Sequence, residues 1–489
     1  MKNMTLYLPG FHLESLRRKP QSAQKLLAKK LAELKQKTFS QLSECFGQFI
    51  PKYCLRPSES GALSRQRLFS KENTFWAFLS QVLDADGGCQ EVVRKLQAFA
   101  AMKSSQQPSS STAAYCQARK KLDNHELEII LQHTSGQLRP TSDKNFLNGR
   151  RVIVVDGTGL SMPDTDANQQ VWPQQQNQSP GCGFPQAALC ACFCLQTGGL
   201  LSYELGNKKS HELPLLRKQW GTFHAGDVFL GDKGFCSFFD VYSFKEKEVD
   251  SVITLARRKP VTAAEADKVL AKDDLLIHWK KPVRTKASSY SLEDWNNLPD
   301  TLPLRQIKVT VNRPGFRVSQ FHIITTLTDA NTYPASDIAK LYYQRWDVEL
   351  YFRDIKTTMG MDILRCKTPD MIRKEILMHL IAYNCIRCLI QNAADKQKVA
   401  ANQISFKGSI QALRQWEPYL NQAHFSHQRQ LDLIQRLYES IAGKIIPFRP
   451  GRREPRAVKR RPKPYQLLTA HRHEIIEIKH RSKYTAQKA

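Results

Sequence analysis

Four residues between Leu341 and Met359 carry side chains suited to chemistry on a phosphate. Tyr342, Arg345, Glu349 and Lys356 follow one another at offsets of three, seven and fourteen residues from the first, so on a single helix they project within roughly 60° of each other. A tyrosine, an arginine, a glutamate and a lysine in one stripe also describe many solvated helices with supporting ion pairs. Two more acids change the balance. Asp156 follows the β-branched run Val152-Ile153-Val154-Val155 and is followed by Gly157-Thr158-Gly159, and Asp232 stands in Gly231-Asp232-Lys233-Gly234-Phe235 after the strand-like Asp227 to Leu230. Three carboxylates delivered by two strand ends and one helix face can converge on a pair of divalent cations. Hard ions such as Mg prefer carboxylate oxygen, and two of them about 4 Å apart stabilise both the attacking and the leaving oxygen of an in-line phosphoryl transfer. Arg345 and Lys356 would neutralise phosphates beside such a pair, and Tyr342 could hydrogen-bond one.

The elements that must position these groups are legible in outline. Pro334, Ser336 and Asp337 read as the start of one helix and Gly360 as its stop. Leu341, Val348, Tyr351, Phe352, Ile355 and Met359 form its apolar face. Val152–Val155, Ala188–Leu195, Leu200–Glu204, Asp227–Leu230 and Val252–Leu255 read as strands, with Asp156 and Asp232 at the carboxyl ends of theirs. Leu275–Trp279, Gln306–Val311 and Phe321–Leu327 read as further strands, and Met371–Asn392 as a long apolar helix. Upstream, Gln21–Phe46, Asn73–Leu83, Cys89–Met102 and Thr112–Leu122 have helical spacing with exposed lysine and arginine, which suits a DNA-reading module as well as it suits a plain helical bundle. The fold expected is α/β, a mixed sheet flanked by helices, divided as 1–145 (helical, DNA-binding), 146–256 (core, first part), 257–320 (β-rich insertion), 321–400 (core, second part) and 401–489 (helical and basic).

Lys plus Arg number 73 against 45 Asp plus Glu, a formal charge of +28. That excess repels itself unless a polyanion neutralises it, and double-stranded DNA is the obvious one. No window approaches the length of an apolar membrane span and the N-terminus lacks a secretory pattern, so a cytoplasmic, nucleoid-associated protein with no membrane partner is expected. The 12 cysteines read as buried thiols rather than a disulfide framework.

Taken together, Y-x2-R-x3-E-x6-K at Tyr342, Arg345, Glu349 and Lys356, D-G-T at Asp156 and G-D-K-G-F at Asp232 resemble bacterial insertion-sequence DDE transposases of the insertion-sequence-four family. The likeness extends from about Asn73 to Tyr465, through Thr112-Ala113-Ala114-Tyr115-Cys116-Gln117-Ala118-Arg119 and Arg456–Tyr465. The resemblance implies an RNase H-like catalytic core interrupted by a β-strand insertion domain, which the 117 residues between Asp232 and Glu349 accommodate. It implies Asp156, Asp232 and Glu349 as catalytic and metal-holding acids, with two Mg ions or Mn in their place. It implies cleavage at terminal inverted repeats through a hairpin intermediate, and strand transfer into target DNA by a homodimer in a synaptic complex. It also implies an aromatic ring in the insertion that receives a displaced base. Of Trp279, Tyr290, Trp295 and Phe316 we take Trp279, because it ends an apolar strand and precedes Lys280 and Lys281, although a strand-end tryptophan is more often core packing. A nuclease of the same core without strand transfer, and a basic DNA-binding repressor with a degenerate core, are the competing readings.

Overall fold

The computed structural model describes residues 40–64, 67–102, 107–138, 147–176, 179–207, 211–256, 259–284, 290–311, 319–422, 427–446, 470, 474–478 and 483–486. Most of the expected helix Gln21–Phe46, the aromatic Phe316 and the basic run Arg456–Tyr465 lie outside these. The chain divides into two units, Met1–Glu126 with Leu413–Gln435 and Leu127–Ala412 with Arg436–Ala489.

In the first unit the helices Lys71–Leu83, Cys89–Met102 and Ala113–Lys120 follow the apolar spacing of the sequence. Ser70 caps the first by accepting from the Asn73 amide. The buried Gln81 carbonyl oxygen accepts from the Tyr115 hydroxyl at 2.6 Å and from Arg119 at 3.1 Å. Tyr115 and Arg119 therefore serve the interior of this unit, and Gln117, Lys120 and Lys121 face outward.

The second unit is built on a nine-stranded sheet. Its strands are β1 Val152–Ser161, β2 Gln186–Cys194, β3 Leu200–Asn207, β4 Val228–Gly231, β5 Asp250–Thr254, β6 Lys268–Ala271, β7 Asp274–Lys280, β8 Thr301–Val311 and β9 Ser319–Thr325. Their order is β3-β2-β1-β4-β5-β9-β8-β7-β6. β1, β2 and β3 form an antiparallel meander, whereas β4 and β5 run parallel to β1. The strands between Asp232 and Glu349 extend this same sheet, since β9 pairs antiparallel with β5 and carries β8, β7 and β6 outward. A basic tail was expected at the C-terminus; within it Ile475–Ile478 and Lys483–Ala486 pair as a separate antiparallel ribbon.

Alternation along β1 and β2 sends side chains to two cores. One face carries Ile153, Val155, Cys190 and Cys192 to Phe229, Phe235 and Phe244 and the helix Phe238–Glu246. The other sends Phe193 onto Tyr351, Phe352 and Tyr383, with ring centroids 5.5, 5.3 and 6.1 Å away. Tyr383 belongs to the helix Pro369–Gln397, which begins with Thr368 as cap and Pro369 in its first turn and is buried on nearly every side. The cysteines are free thiols. Among the described residues no helix is long and apolar enough to cross a membrane.

Two local expectations need correction. β1 does not end at Asp156 but continues to Ser161, because β2 goes on pairing with it from Asp156↔Ala191 to Ser161↔Gln186. The helix expected from Pro334 to Met359 is not uniform either. Ala335–Gln344 and Asp347–Arg353 are α-helical, and between them the amides of Arg345, Trp346, Val348 and Glu349 reach back three residues rather than four. The segment Asp354–Thr358 is a π-helical turn, closed by the Met359 amide on the Asp354 carbonyl at 3.0 Å. A tightened turn followed by a widened one shifts the angular spacing of the side chains. Gly360 ends the segment at a φ of +77°.

Candidate active site

The parallel register brings the first two acids together. Val152, Ile153 and Val154 pair with Val228, Phe229 and Leu230, so continuing the ladder sets Asp156 beside Asp232, just past the last residue of β4. Each carboxylate is steadied by a nearby glycine amide: Asp156 Oδ1 accepts from Gly157 at 2.8 Å and Asp232 Oδ1 from Gly234 at 2.7 Å. Burial pushes the Asp156 carboxyl above the usual aspartate range. Asp232 and Glu349 add to the rise, and the Gly157 amide and Arg345 oppose it. Asp156 thus lies within electrostatic reach of Asp232, Glu349 and Arg345, three groups drawn from two separate elements.

The signature residues occupy unlike surroundings. Glu349 is exposed and Lys356 half-buried. Lys356 Nζ donates to Thr158 Oγ1 at 2.9 Å. Arg345 is buried, its guanidinium over the rings of Trp346 and Tyr342 at 5.0 and 5.8 Å, and its Nε is a buried donor with no acceptor among the described residues. Tyr342 is buried too, with its hydroxyl bonded to Thr254 on β5 and its ring against Phe321. Below the segment, Asp354 pairs with Arg387 at 3.0 Å, and Arg387 Nε donates to the Tyr383 hydroxyl, also at 3.0 Å. Tyr351 donates to the Leu195 carbonyl at 3.0 Å. These bonds fix the underside of the segment, so its exposed side faces the two aspartates in a set orientation.

Trp279 is not among the residues brought together. It is 8% exposed and packs on Phe238 with ring centroids 5.4 Å apart. The adjoining Lys281 donates to the Leu298 carbonyl at 2.8 Å. Tyr290 stacks on Phe239 at 3.9 Å and bonds Asp240. The aromatic residues of β7 and of the segment that follows it therefore serve packing in this conformation.

One nearby carboxylate escaped the sequence reading. A Cβ added to Gly157 would lie 2.1 Å from Glu212 Oε1, and one on Gly234 would lie 3.6 Å from Glu212 Oε2. Glu212 therefore fills the space that the glycines beside Asp156 and Asp232 leave open, and it lines a cleft of about 640 Å³ with Gly157, Gly159, Leu189, His211 and Gly234. The glycine one or two residues after each acid was the available signal, since bare backbone at such a position marks a close approach.

The donor set suits a hard divalent cation, being carboxylate oxygen throughout, and the buried, unpaired Arg345 Nε suits an anion beside it. Among the described residues no group of three His, Cys, Asp or Glu side chains already stands at metal-holding distance.

Residues 147–385 match a family model described as a transposase DDE domain. The chain is 27% identical over 414 residues to the transposase InsG for insertion sequence element IS4 of Escherichia coli (strain K12), a match spanning 83% of this chain and 89% of that one. It is 27% identical over 174 residues to the putative transposase y4zB of Sinorhizobium fredii (strain NBRC 101917 / NGR234), covering 34% and 43% of the two chains. A cryo-EM structure of a piggyBac transposase synaptic complex with hairpin DNA aligns with 83% of this chain and 85% of that one, at 10% identity and a TM-score of 0.41.

Proposed function

We propose that the chain is a DDE transposase of the insertion-sequence-four family, in keeping with the matched transposase DDE domain and the likeness to the IS4 transposase, and that it cleaves DNA at the terminal inverted repeats of its own element and joins the ends to target DNA. A DDE domain implies divalent-metal use and a DNA substrate. The observation that carries the finer reading is the Asp156 carboxylate, raised in pKa by burial and flanked by Asp232, Glu349 and Arg345.

In this reading β1 to β5 and β9 belong to the RNase H-like core, and β6 to β8, within 257–320, are the insertion, grown onto its edge. Asp156, Asp232 and Glu349 would hold two Mg ions, or Mn in their place, and the ions would supply positive charge for the attacking and leaving oxygens. Gly157 and Gly234 orient two of the carboxylates through their amides. Arg345 gives its unpaired Nε to a phosphate of the bound end, and Lys356 adds a second positive contact. Tyr342 acts mainly by fastening the segment to β5. The reaction proceeds as cut-and-paste, with the freed 3′-OH attacking the opposite strand to form a hairpin that is then opened. Two copies cooperate in a synaptic complex in the bacterial cytoplasm.

The test is incubation of the purified protein and Mg with DNA from the ends of its own element, with the cut strands mapped. Asp156→Asn, Asp232→Asn and Glu349→Gln should each abolish cleavage while binding of the ends stays within a few-fold of wild type, because phosphate contacts elsewhere persist. Nicking at a near-wild-type rate by any one of the three removes that residue from the site. Joining of a pre-cleaved 3′-OH end to plasmid DNA separates a transposase from a nuclease with the same core.

A further inference from the structure

β1 runs beyond Asp156 with a partner on only one side for most of the way. β2 pairs with it as far as Ser161, whereas β4 ends at Gly231. The other edge is met at its far end by the chain that leaves the signature segment. Ser161 donates to the Asp362 carbonyl at 3.1 Å, and the Leu364 amide donates to the Ser161 carbonyl at 2.8 Å. Between Asp156 and that bridge stands Thr158, two residues along the strand and hence on the face that Asp156 occupies. Its Oγ1 accepts from Lys356 Nζ at 2.9 Å. Lys356 lies within the π-helical turn Asp354–Thr358.

A lysine ammonium on a flexible four-carbon stem loses rotamer freedom when it grips a phosphate. A threonine hydroxyl already bonded to it removes part of that freedom beforehand, and two of the three ammonium protons remain for a ligand. The branched Thr158 side chain is itself stiff at χ1 and set by the strand, so it transmits the position of β1, and with it that of Asp156, to the ammonium.

We propose that Thr158 is a positioning residue, holding the Lys356 ammonium at a fixed offset from Asp156 so that a phosphate gripped by the lysine meets the carboxylates in register. This rests on the DNA-cleaving reading above. The bridge at Ser161 and the π turn serve the same end, one tethering the chain after Lys356 to β1 and the other directing the lysine toward the strand.

The test is a double-mutant cycle on affinity for a duplex carrying the element's end, measured by fluorescence anisotropy. Thr158→Val keeps the shape and branching of the side chain and removes the acceptor. It should weaken binding about threefold to tenfold, with little further loss when added to Lys356→Ala. Thr158→Ser, which keeps the hydroxyl, should bind within about twofold of wild type on the same scale. Thr158→Ala repeats the hydroxyl removal if the valine variant folds poorly. Equal losses from Thr158→Val in the wild-type and Lys356→Ala backgrounds would overturn the proposal, as would a serine variant as weak as the valine one. Wild-type protein that neither binds nor cuts its own ends overturns the transposase reading itself, an outcome distinct from additive mutations in an active enzyme.

Discussion

Asp156 is held in the folded chain at a cost. Its carboxyl titrates above the ordinary aspartate value, first because of burial and then because Asp232 and Glu349 stand near. The folded chain therefore binds more protons than the unfolded one in that window, and stability falls as pH climbs out of the ordinary aspartate range. Asp156→Asn should consequently raise the Tm at neutral pH by a few degrees while abolishing cleavage, and the gain should shrink as the pH is lowered into that range. Mg should stabilise the wild type more than the variant. A scanning-calorimetry Tm equal to or below that of wild type would show that the carboxylate is not under strain. Asp156 and Asp232 were legible in the sequence because each follows a buried run and has a glycine within the next two residues, a local pattern. Glu212 was not, since its approach to Gly157 and Gly234 depends on how a helix packs across two strands. Trp279 shows the converse limit: the lysines after it suggest an edge, but the ring goes to Phe238 and Lys281 to a carbonyl.

At the scale of elements, the signature segment was correctly read as helical but not as irregular. Arg345 and Trp346 keep right-handed φ/ψ values of −51°/−34° and −61°/−16°, so apolar spacing survives while the hydrogen bonds shift, and periodicity cannot register the difference. What holds the irregular turn is Asp354 with Arg387, two side chains each 9% exposed. Burial pushes the Asp354 carboxyl up in spite of Arg387, which marks a pair that is costly to bury. Breaking it is costlier, because the guanidinium would remain in the core without its anion. Asp354→Ala should therefore lower unfolding stability by about 3–5 kcal/mol in urea titrations. A loss below about 1 kcal/mol, the worth of a surface pair, would mean that water or another acceptor replaces Asp354.

Over the whole molecule, the class of fold and most strands could be read from alternation, but their order could not. Nothing in the run Phe321–Leu327 says that β9 lies against β5, or that β6 to β8 continue the sheet beyond it, because pairing is chosen by tertiary packing and not by the strand's own residues. Charge needs no such context. The +28 excess belongs to the chain in any arrangement, and for a DNA-binding protein it fixes how affinity depends on salt. Each phosphate neutralised releases condensed counterions, so log K falls linearly with log salt at about 0.9 per contact, and an interface with about 6–10 contacts loses about 10³–10⁵ in affinity between about 50 and 200 mM. End binding by this protein should fall within that range. Against that slope, Arg345→Ala and Lys356→Ala should each lower the steepness by about one and weaken all DNA sequences alike if, as proposed, they contact phosphate and not base edges. Anisotropy titrations across salt concentrations give both numbers. A wild-type loss below about tenfold would show that the basic excess is directed elsewhere, and an unchanged slope in both variants would make the stripe an ordinary charged surface.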